Sequence, residues 1–134
     1  MSLDRDEIIK PLADNQMDNL VGLIQSVPLS LENEKIMQRE LQSVLDSKFD
    51  GTVLSEFQLS KLDRVDFYLA PQGIAIECKR DRDASPRSIY RQLSRYAESP
   101  LVAGIVLVTW KSMALPETIN KKPARVIQCA RAWL

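Results

Sequence analysis

Asp66, Glu77 and Lys79 are the residues of this chain whose types and spacing suit chemistry. Side chains alternate along a strand, so Glu77, Lys79 and Ala75 share one face while Ile74, Ile76 and Cys78 share the other. Ala70-Pro71-Gln72-Gly73 carries turn formers between two apolar runs, residues 64–69 and 74–79, which reads as a hairpin. A hairpin centred between Pro71 and Gln72 sets position 66 across from position 77. Val65, Phe67 and Leu69 then turn into the core with Ile74 and Ile76, and Asp66 comes to lie beside Glu77. Asp63 has the opposite parity and precedes the strand, so it is the weaker candidate.

Two carboxylates opposite each other repel unless one takes a proton or a cation sits between them. An all-oxygen set of this kind suits Mg²⁺ or Mn²⁺, with the Cys78 backbone carbonyl close by as a further ligand. Lys79 follows Glu77 by two residues on the same face, roughly 6 to 7 Å along the strand. Its ammonium can orient or help deprotonate a water, or offset charge developing on a phosphate. The plain alternative is a cross-strand ion network with no metal.

Composition narrows the other options. The chain has 134 residues, the size of one domain, with a hydrophobic fraction of 45% that supports a single core. It contains no histidine, which excludes Ser-His-Asp and Cys-His catalysis, histidine metal sites and nucleases with a histidine base. Basic and acidic residues balance at 18 each, so any contact with a polyanion must be local. Cys78 and Cys129 show no CxxC spacing and read as reduced core residues. The longest apolar run, Leu101 to Trp110, is too short for a membrane span, and the acidic N-terminus does not start like a signal peptide. A cytoplasmic protein is expected. There is no GxxxxGK[ST] or GxGxxG motif and no repeat.

The elements that must position these residues can be read from periodicity. From about Leu3 to Val27, Ile8, Ile9, Leu12, Leu20, Leu23 and Ile24 outline one or two helices interrupted at Pro11. This N-terminal extension, residues 1–28, either covers the core or serves as a dimer or partner-binding arm. A helix is expected from about Leu31 to Phe49, with Ser30 as N-cap and Gly51 as stop. Leu31, Met37, Leu41, Val44, Leu45 and Phe49 form its apolar stripe; Glu34 lies on the stripe's axis beside Gln38, and Glu40 points away. Strands follow over 52–59, 64–69 and 74–79. Ser85-Pro86 then opens a helix to about Glu98, Ala103 to Trp110 reads as a strand buried on both faces, and Ala124 to Cys129 as the last strand. A short helix is expected around Pro116 to Ile119. This order defines an α/β fold with a mixed sheet flanked by helices, in a domain spanning 29–134.

Asp66, followed by Gly73-Ile74-Ala75-Ile76 leading into Glu77-Cys78-Lys79, resembles the D…ExK signature of the PD-(D/E)xK nuclease superfamily. Asp63-Arg64-Val65-Asp66-Phe67 resembles the GRxD-like entry to the metal strand, with Asp63 in place of the usual small residue and Val65 in place of the proline of PD. Ile89-Tyr90-Arg91-Gln92-Leu93 with Tyr96 resembles the family's Q-helix, and Glu34 the helical glutamate that some branches use as an extra ligand. The resemblance covers Leu31 to Cys129. It implies a restriction-endonuclease-like α-β-β-β-α-β core and a Mg²⁺- or Mn²⁺-dependent nuclease that hydrolyses nucleic acid, DNA ahead of RNA, with a metal-activated water. Asp66 and Glu77 would be ligands, Lys79 would assist the nucleophile, and Gln92 and Glu34 would be accessory. Gln92 also lies on the apolar stripe of its own helix, where a glutamine bonded to backbone is the simpler reading.

Arg87, Arg91 and Arg95 recur every four residues and, with Arg80 and Arg82, make the most arginine-rich stretch. Phosphate contacts are expected at Arg80 and Arg82 first, then Arg87 and Arg91. The chain leaves little room for a separate recognition domain, so a homodimer or larger nuclease complex is a further expectation. The rival from another class is a catalytically inactive nucleic-acid-binding or assembly subunit of the same fold.

Overall fold

Three helices and six strands carry the described residues, 14–30, 33–49, 51–80 and 84–129 of the computed structural model. They run α1 (Asp14–Gln25), α2 (Glu34–Lys48), β1 (Val53–Gln58), β2 (Arg64–Leu69), β3 (Ile74–Lys79), α3 (Pro86–Ala97), β4 (Gly104–Thr109), β5 (Thr118–Ile119) and β6 (Lys122–Gln128). The strands form one mixed open sheet in the order β1-β2-β3-β4-β6-β5. β1, β2 and β3 are an antiparallel meander, β4 runs parallel to β3 and β6 to β4, and β5 closes the far edge antiparallel to β6. The α/β class, the mixed sheet and its flanking helices follow the sequence pattern.

Each face of the sheet is covered because each carries its own apolar set. Phe67, Leu69, Ile74, Ile76, Val106 and Val108 pack under Met17, Leu20 and Ile24 of α1 and Met37, Leu41 and Leu45 of α2. On the other face Tyr68, Ala75, Ile105 and Leu107 pack under Ile89, Leu93, Tyr96 and Ala97 of α3. β4 is buried along its whole length, as its unbroken apolar run requires. Tyr68 Oη donates to the Leu101 carbonyl, and the Tyr68 ring stacks on Phe57 with centroids 4.5 Å apart. That contact ties β1 and β2 to the segment between α3 and β4.

The β2–β3 register pairs Leu69 with Ile74 and Phe67 with Ile76, which places the hairpin centre between Pro71 and Gln72. Gly73, at φ 72°, closes the turn with its N–H donating to the Leu69 carbonyl at 2.8 Å. Beyond Phe67 the strict alternation breaks. Val65 was expected beside Phe67 in one core layer, yet it packs in the layer under α3. Asp66 is the residue between them, paired in neither ladder, and the residue of β1 missing from the register opposite it, Glu56, has φ 50°. A left-handed residue in one strand and a broken ladder in the next let both strands change face there.

Two other expectations change. The cap of α2 is Asn33, not Ser30: Asn33 Oδ1 accepts from the N–H groups of Lys35 (2.8 Å) and Ile36 (3.3 Å), so the helix starts at Glu34. The Ser30 N–H instead donates to Glu40 Oε1 at 2.9 Å. No helix forms at Pro116 to Ile119; Thr118 and Ile119 pair with Pro123 and Lys122 across Asn120-Lys121. Both turn residues have positive φ, 50° and 64°, the pattern of a two-residue type I′ turn. Leu31 and the segment holding Ile8, Ile9, Pro11 and Leu12 lie outside the described residues.

Lys121 occupies the turn position that glycine fills without steric cost. Lys121→Gly is expected to stabilise the fold by about 1 kcal/mol, read as a higher midpoint in urea at unchanged slope.

Candidate active site

The site grows from the ladder break. Where β2 and β3 would exchange backbone bonds, side chains do so instead: the Cys78 N–H donates to Asp66 Oδ2 at 2.8 Å, and the Asp66 N–H donates to Glu77 Oε1 at 3.2 Å. Each carboxylate thus fills a backbone bonding position left open by the break, which fixes both against the sheet. Lys79, two residues along β3, brings Nζ to 3.4 Å from Glu77 Oε2. Glu77 is only 4% exposed.

α3 completes the arrangement from above. Ser85 caps it by accepting from the Ser88 N–H, Pro86 starts it, and Ile89, Leu93 and Tyr96 are buried against the sheet. That phase carries Gln92 and Tyr96, one turn apart, over Glu77. Gln92 Nε2 donates to Tyr96 Oη at 2.7 Å, and Tyr96 Oη lies 3.2 Å from Glu77 Oε2 and 3.1 Å from the Arg64 carbonyl. The hydroxyl has one proton and two acceptors, so it donates to one of them at a time.

Burial dominates the electrostatics. It raises the Glu77 carboxyl from its ordinary 4.5 to about 8, helped by the charge of Asp66 and opposed by Lys79 and the bonds from Asp66 N–H and Tyr96. Asp66 is also raised, mainly by burial, against the pull of the Cys78 N–H and Lys79. The Tyr96 hydroxyl is raised by burial and then by Glu77. The pair therefore retains a proton near neutral pH, a place that a divalent cation can take over.

Asp66, Glu77 and Lys79 come together, and Gln92 reaches them through Tyr96. The sequence marks Tyr96 as part of the Q-helix-like segment and of the apolar stripe beside Gln92 but gives it no role; a buried tyrosine needs a partner for its hydroxyl, and that is the available signal. Glu34 opens α2, whose apolar side packs in the layer that holds Cys78, and its charge helps burial and the nearer carboxylates to raise the Cys78 thiol. Among the described residues, no three Cys, Asp or Glu side chains converge as a metal-binding group, so Glu34 does not join the pair. Asp63 accepts from Arg95 Nε at 3.2 Å. Arg87 and Arg91 are exposed on α3, Arg80 sits 5.7 Å from the centroid of the Trp110 ring, and Arg82 lies outside the described residues.

A buried and a half-buried carboxylate side by side fit Mg²⁺ or Mn²⁺, which commonly take one or two protein carboxylates and fill the remaining positions with water and phosphate oxygen. No family model matches the sequence, and neither a curated protein nor a solved structure matches it.

The raised carboxyl makes stability depend on pH. Because the folded-state pKa of Glu77 stands above its ordinary value, its contribution is complete below about 4.5 and is lost as pH rises through about 8. Urea titrations of metal-free protein across that window should show falling stability, and Glu77→Gln should flatten the decline. An equal slope in both proteins would contradict the assigned burial.

Proposed function

We propose that this chain is a Mg²⁺- or Mn²⁺-dependent nuclease with a restriction-endonuclease-like core of the PD-(D/E)xK type, hydrolysing phosphodiester bonds of nucleic acid, DNA ahead of RNA. The observation that carries this reading is the pairing of buried Glu77 with half-buried Asp66, bonded across a ladder break with Lys79 beside it. The resemblance of the D…ExK segment supports it. Asp66 and Glu77 would hold the cation, with the Cys78 carbonyl as a further oxygen. Bound there, the ion supplies positive charge that acidifies water and offsets phosphate charge.

The chain's own groups do the rest. Lys79 orients the attacking water or neutralises charge gathering on the phosphate in the transition state. Tyr96, held by Gln92, fixes the Glu77 carboxylate. Arg87 and Arg91, both exposed on α3, are the helical residues proposed to contact phosphates. No helix among the described residues is long and apolar enough to cross a membrane, and both cysteines are free and buried, which suits the reducing cytoplasm.

Asp66→Asn and Glu77→Gln are each expected to abolish Mg²⁺-dependent cleavage while the fold persists, since each removes charge from a crowded site. Lys79→Ala should lose cleavage but keep Mn²⁺ binding, with each change costing about 2 to 4 kcal/mol of barrier. Mn²⁺ calorimetry and a cleavage panel of single-stranded, duplex and branched substrates test both halves. Nucleic-acid binding with neither metal uptake nor cleavage would make the chain a binding or assembly subunit instead.

A further inference from the structure

Beside the carboxylate pair, the tip of the β1–β2 hairpin and α3 enclose a cleft of about 330 Å³. Gln58, Leu62, Asp63 and Arg64 line it from the hairpin, and Gln92, Arg95 and Tyr96 from the helix. Leu62 is 92% exposed. A single exposed leucine is ordinary, but this one is held in place. Ser60 Oγ accepts from the N–H groups of Leu62 (3.2 Å) and Asp63 (3.1 Å), and Gln58 Nε2 donates to the Ser60 carbonyl at 2.8 Å. The Leu59 N–H donates to the Asp63 carbonyl at 2.8 Å and closes the loop.

The lining of the cleft carries two guanidinium groups and one carboxylate. Arg64 and Arg95 are both exposed, and the acidic group beside them, Asp63, is engaged by Arg95 Nε at 3.2 Å. Gln58 Nε2 is spent on the Ser60 and Lys61 carbonyls and one Gln92 N–H on Tyr96, which leaves both amide oxygens to accept and one Gln92 N–H to donate. An exposed leucine on a hydrogen-bonded loop, two guanidinium groups, one of them paired with Asp63, and two amides are the complement of one nucleotide: its base face, its phosphates and its base edge. Tyr96 lines the cleft and also bonds Glu77, so an occupant adjoins the carboxylate pair. In a duplex the base faces are stacked away, and only an unpaired base can lie on Leu62.

We infer that this cleft seats one unpaired nucleotide next to the cleaved phosphate, and that the substrate is therefore a single strand or a frayed end rather than continuous duplex. The cleavage position rests on the nuclease reading; the seating of the nucleotide does not.

The test is fluorescence anisotropy in Ca²⁺, with labelled oligothymidylate and a labelled, covalently closed circular DNA duplex as probes. Leu62→Ala should weaken oligothymidylate binding about tenfold, the loss of one base contact, and leave the closed duplex unaffected. Leu62→Trp should restore or tighten it, a gain that misfolding cannot imitate. Arg95→Gln should lower the salt slope for oligothymidylate by about one unit. Unchanged binding in Leu62→Ala, equal losses on both probes, or failure of the unmodified protein to bind oligothymidylate would overturn the inference. Cleavage of bis(p-nitrophenyl) phosphate in Mn²⁺ separates the two readings. If it persists while the Leu62 effect is absent, the cleft assignment falls and the nuclease stands. If the Leu62 effect is present and neither this ester nor DNA is cleaved, the cleft stands and the nuclease falls.

Discussion

Asp66 and Glu77 receive hydrogen bonds from two backbone N–H groups, lie beside a lysine ammonium and a tyrosine hydroxyl, and still the Glu77 carboxyl is raised to about 8. The donors do not offset the cost of taking two like charges out of water. A full positive charge between the carboxylates would, and the surroundings are arranged as if that charge were to come. Lys79 supplies one charge but approaches Glu77 Oε2, so Asp66 feels it only at a distance. An apolar pair of the same volume would pack there at lower cost, so stability alone does not account for the carboxylates, and this supports the proposed chemistry.

That placement depends on how the sheet is built around it. β3 and β4 are buried by helices on both faces, so any polar side chain on β3 enters low dielectric as soon as it faces inward. β2 could not present Asp66 to Glu77 while keeping a regular ladder, because its own N–H is the donor to Glu77 and the Cys78 N–H is drawn to its side chain. The left-handed Glu56 in β1 and the move of Val65 to the layer under α3 are the local costs of that exchange. α3 then covers the gap, with Tyr96 reaching the carbonyl of Arg64 as well as Glu77.

The sequence made this arrangement legible in proportion to how local its causes are. The facing of positions 66 and 77 follows from turn chemistry at 70–73 and strand parity alone, and the phase of α3 follows from Ser85, Pro86 and its apolar spacing. The face of Val65 was misjudged because parity assumes an unbroken ladder, and nothing in Glu56 or Asp66 as letters announces a break. Ser30 and Asn33 are both good caps, and the choice was made by Glu40, which holds the Ser30 N–H from one helical face away. The turn at Asn120-Lys121 is hidden in the sequence because a two-residue turn is advertised by Asn-Gly, and Lys stands in the second position. Glu34 falls on the right stripe of its helix, but a stripe specifies a layer and not a point, and its layer is the one behind Cys78.

Global charge balance adds a final constraint on any polyanion partner. With 18 basic and 18 acidic residues, attraction at long range is absent, and affinity has to come from a few cations close to the carboxylates. Those cations are partly committed already: Arg95 to Asp63, Lys79 to Glu77, and Arg80 to the face of Trp110. Such commitments hold guanidinium and ammonium groups in fixed positions, so less side-chain freedom is lost when a phosphate arrives. They also set a condition. If the partner is the nucleic acid proposed above, it has to bring contact of other kinds, such as a base face or a base edge, to make up for the charge that this chain lacks.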